Sequence, residues 1–204
     1  MKRILIFFII LCFWIACCNI CFATWWFDAQ TQAVTARKNA GGGVCSTPQD
    51  ECLAAANSSY WVGSESNRKY ISSSFLTTST TPRCSQTVEI FSVTGTPTYT
   101  ITVQLYSDND GAPGSPVGTA SDAVAVTGML ADQTITFANY NTGNLTDATL
   151  YHYVYTVNTP STTNYISLKT TDGCSDDAIY SSEDGTTWTA RSFTHIVNFQ
   201  DYSE

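Results

Sequence analysis

From Thr98 to Leu105 the chain alternates: Thr98, Thr100, Thr102 and Gln104 are interleaved with Tyr99, Ile101, Val103 and Leu105. A period of two puts the apolar set on one face of a β-strand and the polar set on the other, whereas a helix would scatter both sets around its axis. Such a strand needs a core on one side and tolerates water on the other. Directly after it come Ser107-Asp108-Asn109-Asp110-Gly111, then Pro113-Gly114 and Ser115-Pro116. These supply side chains that cap their own backbone, residues that accept positive φ and prolines of fixed φ, the chemistry that reverses a chain.

The same grammar continues through the chain. Strands are predicted from Ser72 onward, at Thr87 to Val93, Ala123 to Val126, Gln133 to Tyr140, Thr149 to Val157, Tyr165 to Lys169, Ala178 to Ser181 and Thr187 to Phe199, with Gly, Pro, Asn and Asp between them. No sustained 3.6-residue stripe interrupts them. Runs of strands without helices predict two packed antiparallel sheets, so the expected fold is an all-β sandwich of jelly-roll or immunoglobulin-like type. The sandwich is expected over residues 74–204, with an irregular, disulfide-containing segment at 24–73. That segment opens on Trp25-Trp26-Phe27, crosses Gly41-Gly42-Gly43 and holds a short Ala-rich turn at Leu53 to Ala56.

Residues 1–23 read as a signal peptide. Met1-Lys2-Arg3 is positive, Ile4 to Cys18 is unbroken apolar, and Ala23 supplies the small residue before cleavage at Thr24. Uncleaved, the same stretch is long enough to span a bilayer, which would be the chain's route to a membrane. Of eight cysteines, four leave with this segment, and Cys45, Cys52, Cys84 and Cys174 remain. An even set in an exported chain predicts two disulfides, and of the three connectivities the short spacing favours Cys45 with Cys52 and Cys84 with Cys174. Charged residues are only 13% of the chain and the net charge is −8. An acidic surface of this kind repels phosphate backbones, so nucleic acid is not an expected partner.

The stretch from Ser74 to Phe199 resembles the choice-of-anchor R domain, a family of bacterial surface and exported β-sandwiches. The residues that carry the likeness are Tyr99 to Gly114, then Ile135-Thr136-Phe137 with Leu145 to Tyr151, and the Tyr180 to Trp188 hairpin. The resemblance implies an extracellular, non-catalytic sandwich tethered by a C-terminal sorting signal. Here the chain stops at Asp201-Tyr202-Ser203-Glu204 with no apolar tail or sorting motif, which leaves release, or retention by other chains or by the N-terminal segment. The expected function is therefore that of a secreted cell-surface or matrix protein acting by adhesion or self-assembly, its partners being itself, other surface proteins or glycans. A carbohydrate-binding module is the alternative.

Candidate sites are few. Asp108-Asn109-Asp110-Gly111 has the start of a calcium loop, making Asp108 and Asp110 candidate Ca2+ ligands, but a third acidic position and the closing Glu are missing, and a self-capped hairpin loop is favoured. Ser181 to Trp188 comes close to an Asp-box hairpin, with Glu183 where that motif has Asp. Trp25 and Trp61 are candidate sugar-stacking rings. Tyr151, Tyr153 and Tyr155 share one strand face and are read as core. Asn57 and Asn144 head glycosylation sequons, used only if the host glycosylates secreted chains. Of the two histidines, His152 and His195, neither falls beside a marked nucleophile, and no carboxylate pair stands out for hydrolysis, so no enzyme is expected.

Overall fold

A computed structural model of the chain describes residues 45–53, 58–172, 174, 178–192 and 195–204. The signal segment, Trp25 and Asn57 lie outside the described residues.

In chain order the strands are β1 (Thr47–Cys52), β2 (Ser58–Val62), β3 (Tyr70–Leu76), β4 (Ser85–Thr94), β5 (Thr100–Asn109), β6 (Ala112–Val117) and β7 (Val124–Ala125), followed by β8 (Thr134–Ala138), β9 (Leu150–Val157), β10 (Tyr165–Thr171), β11 (Ile179–Ser182), β12 (Thr189–Ser192), β13 (Ile196–Val197) and β14 (Phe199–Ser203); a single 3-10 turn, Ser66–Arg68, precedes β3. They form two antiparallel sheets packed together. One runs β1-β14-β4-β10-β13, with β2 on β10 and β8 on β4; the other runs β12-β11-β3-β9-β5-β6, with β7 on β5. The all-β sandwich expected from the alternation is the fold observed.

The alternating strand behaves as its sequence requires. Tyr99, Ile101, Val103 and Leu105 are buried, while Thr100, Thr102 and Gln104 stay partly exposed. Facing them in the core are Val88, Ile90, Ile135, Phe137, Ile166 and Leu168 from the other sheet. Tyr153 and Tyr155 are fully buried in β9, as read from the sequence. Phe75 stacks on Tyr153 at 4.6 Å and meets Phe199 edge-on at 5.4 Å, so aromatic contacts join the two sheets. Tyr99 explains its own place in the core: its hydroxyl donates to the Val62 carbonyl at 2.9 Å and accepts the Ile166 N–H at 3.0 Å, bonding β5's sheet to β2 and β10.

Two features depart from expectation. The segment anticipated as irregular supplies β1, β2 and β3, and the expected start of the sandwich at Ser74 falls inside β3. β3 reads Tyr-Ile-Ser-Ser-Ser-Phe-Leu, and Ser72, Ser73 and Ser74 are all buried; a strand covered on both faces with serines shows no hydrophobic alternation. The disulfide pairing is also different: Cys45 joins Cys84 and Cys52 joins Cys174. Cys45 precedes and Cys52 ends an extended strand, and seven residues at about 3.3 Å each hold their Cα atoms about 23 Å apart, whereas a bridge needs less than about 7 Å. The bridge from Cys45 instead crosses β14, whose two neighbours are β1 and β4.

Gly118, at the end of β6, has φ +69°, and a Cβ there would sit 1.8 Å from the Asn141 carbonyl oxygen. The neighbouring Thr119 N–H donates to that same oxygen at 2.9 Å, so the two segments are in backbone contact. Gly118→Ala is expected to cost about 2 kcal/mol or more, strain and clash together. Gly128 has φ +75° with nothing within 4 Å, so Gly128→Ala should cost only the left-handed strain of about 1 kcal/mol. Urea unfolding of the two variants separates the terms, and equal losses would contradict the packing at Gly118.

Candidate functional site

The polar face of β5 changes character along its length. Register places Tyr106 beside His152 of β9, and His152 beside Ser74 of β3. At this end the outer face is closed: His152, Val154, Ser72 and Ser74 are buried. Tyr180 lies edge-on to the His152 ring at 6.0 Å, and Trp188 lies edge-on to Tyr106 at 6.5 Å. The connection between β11 and β12 holds this cover, because a Cβ on Gly185 would be 3.2 Å from the Tyr70 ring.

That connection is a self-capped turn. Asp184 Oδ1 accepts the backbone N–H groups of Thr186 at 2.8 Å and Thr187 at 2.7 Å, and the Ser182 hydroxyl at 2.9 Å. These bonds hold the Asp184 carboxyl well below the usual carboxylate range. The Asp-box reading is thus realised by Asp184, one residue after the position Glu183 takes in the motif. Gly185 has the positive φ the turn needs.

The β5–β6 hairpin turns at Asp110-Gly111, φ 57° and 86°. Two successive positive φ values give the turn whose twist suits a two-residue hairpin. Asp108 is committed within the protein: Oδ1 lies 2.9 Å from His152 Nε2 and Oδ2 accepts the Gly111 N–H at 3.2 Å. Among the described residues no group of three His, Cys, Asp or Glu is placed to hold a metal, and Asp108 and Asp110 serve the hairpin.

His152 Nδ1 is 3.2 Å from Ser72 Oγ, so Ser72, His152 and Asp108 form a continuous chain. A carboxylate only accepts, so Nε2 carries the proton and Nδ1 accepts the serine hydroxyl. Burial lowers the His152 pKa, against the bond and charge of Asp108. In a hydrolase the serine oxygen must meet substrate. Here Ser72 and His152 have 0% exposure and Asp108 alone reaches solvent, at 27%. The chain anchors a carboxylate from behind.

Between the hairpin and the β11–β12 turn lies an open groove of about 720 Å³, lined by Tyr70, Tyr106, residues 107–109, 113–116 and 184–186. Tyr70 and Tyr106 are partly exposed, and Tyr106 ionises above the ordinary tyrosine value, through burial and then the neighbouring Tyr70. The groove joins residues far apart in sequence. Tyr106, Asp108 and Asp184 lie in stretches marked by their turn chemistry, but Tyr70 carries no sequence signal, since only the folded sheet sets it beside Gly185.

Trp61 is on the outer face of the other sheet, 44% exposed, 5.7 Å from Tyr165 and with the Arg68 guanidinium 4.7 Å from its ring. It is remote in register from Tyr106 and takes no part in the groove. Asn144 is exposed in the loop before β9.

No family model matches the chain, and no curated protein matches it. Among solved structures, the cysteine protease and lectin-like domains of a surface layer associated protein of Clostridium difficile are similar at 14% identity and a TM-score of 0.45, over 67% of this chain and 33% of that one. This chain therefore spans about a third of the length of that structure. At this distance the likeness adds nothing to the reading of the site.

Proposed function

We propose that the protein is an exported, non-catalytic β-sandwich of a cell surface or extracellular matrix, working by adhesion. The observation that carries the reading is the double staple, Cys45–Cys84 and Cys52–Cys174. Disulfides of this kind persist in oxidising compartments. The apolar N-terminal segment with its small residue at Ala23 and the resemblance to the choice-of-anchor R domain support the same reading.

Adhesion is favoured over strand-to-strand self-assembly by four of the strands that pair on one side only. β1 has Pro48 and a bulge, β6 carries Pro113 and Pro116, β12 has four residues and β13 two. Prolines, bulges and short strands are what keep a sheet edge from adding a neighbour; β2 and β8, which pair only β10 and β4, carry no such device. A carbohydrate-binding module is the second reading, favoured by the groove with its two tyrosines. Fractionation of native cells tests the proposal: the protein is expected in the medium or on the surface, with all four of these cysteines oxidised and monomeric by size exclusion. A cytosolic protein with free thiols would overturn it.

A further inference from the structure

We infer that the groove between the β5–β6 hairpin and the β11–β12 turn binds a neutral glycan, with an uncharged pyranose unit stacked on Tyr106. The inference rests on the adhesion reading and names the ligand class for it. Four observations lead to it.

The side chains of the walls are held by contacts within the protein. Tyr106 is backed by Trp188, Asp108 is fixed by the buried His152, and Asp184 is fixed by its own turn. A preformed site avoids the ordering cost that weakens small-ligand binding. The groove's volume of about 720 Å³ also falls in the roughly 300–1,000 Å³ range of small-ligand sites.

The surface chemistry is that of a polyol site. A tyrosine ring offers an apolar face for the C–H side of a sugar and a hydroxyl at its edge. Asn109 is exposed and its amide makes no hydrogen bond within the described protein, so it is free to donate and accept. Asp108 and Asp184 keep unused lone pairs, which call for donors. Sugar hydroxyls donate as well as accept. A proline-rich segment, the other chemistry that tyrosine-lined grooves take, lacks N–H donors at its prolines.

Charge selects within the class. The charged groups lining the groove are Asp108 and Asp184, and no Lys or Arg lines it. Lys69 sits 5.4 Å from the centre of the Tyr70 ring but is not part of the lining. An anionic sugar would meet two carboxylates and a chain of net charge −8. A cationic amino sugar finds neither carboxylate free to form an undivided ion pair, because Asp108 and Asp184 each already accept at least two internal hydrogen bonds.

The test is calorimetric titration of the full, oxidised protein with cello-, malto-, manno-, galacto- and N-acetylchito-oligosaccharides. Heparin fragments and oligogalacturonates serve as anionic probes and chitosan oligomers as cationic ones. Saturable binding to at least one neutral series, insensitive to added salt, is expected. Tyr106→Ala should weaken it about threefold to tenfold, and Tyr106→Phe, which keeps the ring, by about twofold or less. Asn109→Ala lies on an exposed turn, so it reports on the groove even if Tyr106→Ala fails to fold. The inference is overturned by no saturable binding across the neutral series, by tighter binding of either charged probe, or by wild-type affinity in Asn109→Ala and any folded Tyr106→Ala. Failure here leaves surface location and disulfides standing, and those are judged by fractionation alone.

Discussion

Replacing Arg83 with methionine is expected to lower the unfolding free energy by about 3–5 kcal/mol, the cost of stranding buried charge. Arg83 has no exposed surface, and its two carboxylate partners, Asp50 and Asp201, are also buried. Its Nη2 bonds Asp50 Oδ2 and its Nε lies 3.1 Å from Asp201 Oδ2. The rest of the cluster is satisfied: Asp50 Oδ1 accepts the Thr78 N–H at 2.8 Å, Asp201 Oδ1 accepts the Asp50 N–H at 2.8 Å, and the Tyr153 hydroxyl donates to Asp201 Oδ2. Methionine fills much of the volume but leaves two carboxylates facing each other in the core. If the loss comes from those charges, the triple variant Arg83→Met, Asp50→Asn, Asp201→Asn recovers much of it. Equal instability of single and triple variants would place the loss in packing.

The pH profile gives a second readout. Burial outweighs Arg83 and Tyr153 at Asp201 and pushes its carboxyl up to about 6. A carboxyl that titrates higher folded than unfolded holds its proton longer in the fold, so its contribution to stability declines as pH rises from about 4 to 6 and is constant above. At Asp50 burial is outweighed by the bonds from Thr78 and Arg83, which keep its carboxyl below the ordinary value, so its contribution is lost as pH falls through that value. Without Arg83 both carboxyls rise. The deficit of Arg83→Met is therefore expected to be greatest at neutral pH and to shrink toward pH ~5, followed by urea unfolding at each pH.

The Cys52→Ser, Cys174→Ser variant is expected to lose about 5 kcal/mol and the Cys45→Ser, Cys84→Ser variant about 4 kcal/mol, from the longer and shorter closed loops. The sequence separations are 122 and 39 residues. Because a domain of this size holds about 5–15 kcal/mol in total, losing both bridges should leave little cooperative fold at 37 °C. Guanidinium unfolding of each pair, compared with the reduced wild type, checks the order. Cys52 is buried opposite Phe199, so a larger loss than loop length predicts would come from repacking around it.

The groove was legible only in pieces. The turn chemistry of Asp108 to Gly111 and of Ser182 to Trp188 marks two tight connections, and both form, the first on Asp110-Gly111 and the second on Asp184. Their meeting over one sheet face depends on β3 and β9 lying between them, which neither connection encodes. Arg83, Asp50 and Asp201 show the same limit from inside. Each is an ordinary charge in sequence, and their partnership arises because β1, β14 and β4 are neighbours.

What the sequence determined by itself was local: the face of each alternating strand, the places where the chain reverses, and hence a sandwich with Tyr99, Ile101, Val103 and Leu105 inside. Such patterns act over a few residues, where period and backbone preference are decisive. Tertiary structure decided what depends on strand order: which cysteines meet, that a serine-rich segment becomes the central strand β3, and that Tyr70, Tyr106 and Asp108 share a groove. An extended strand keeps Cys45 from Cys52, seven residues along, while pairing across the sheet brings it within 6.0 Å, Cα to Cα, of Cys84.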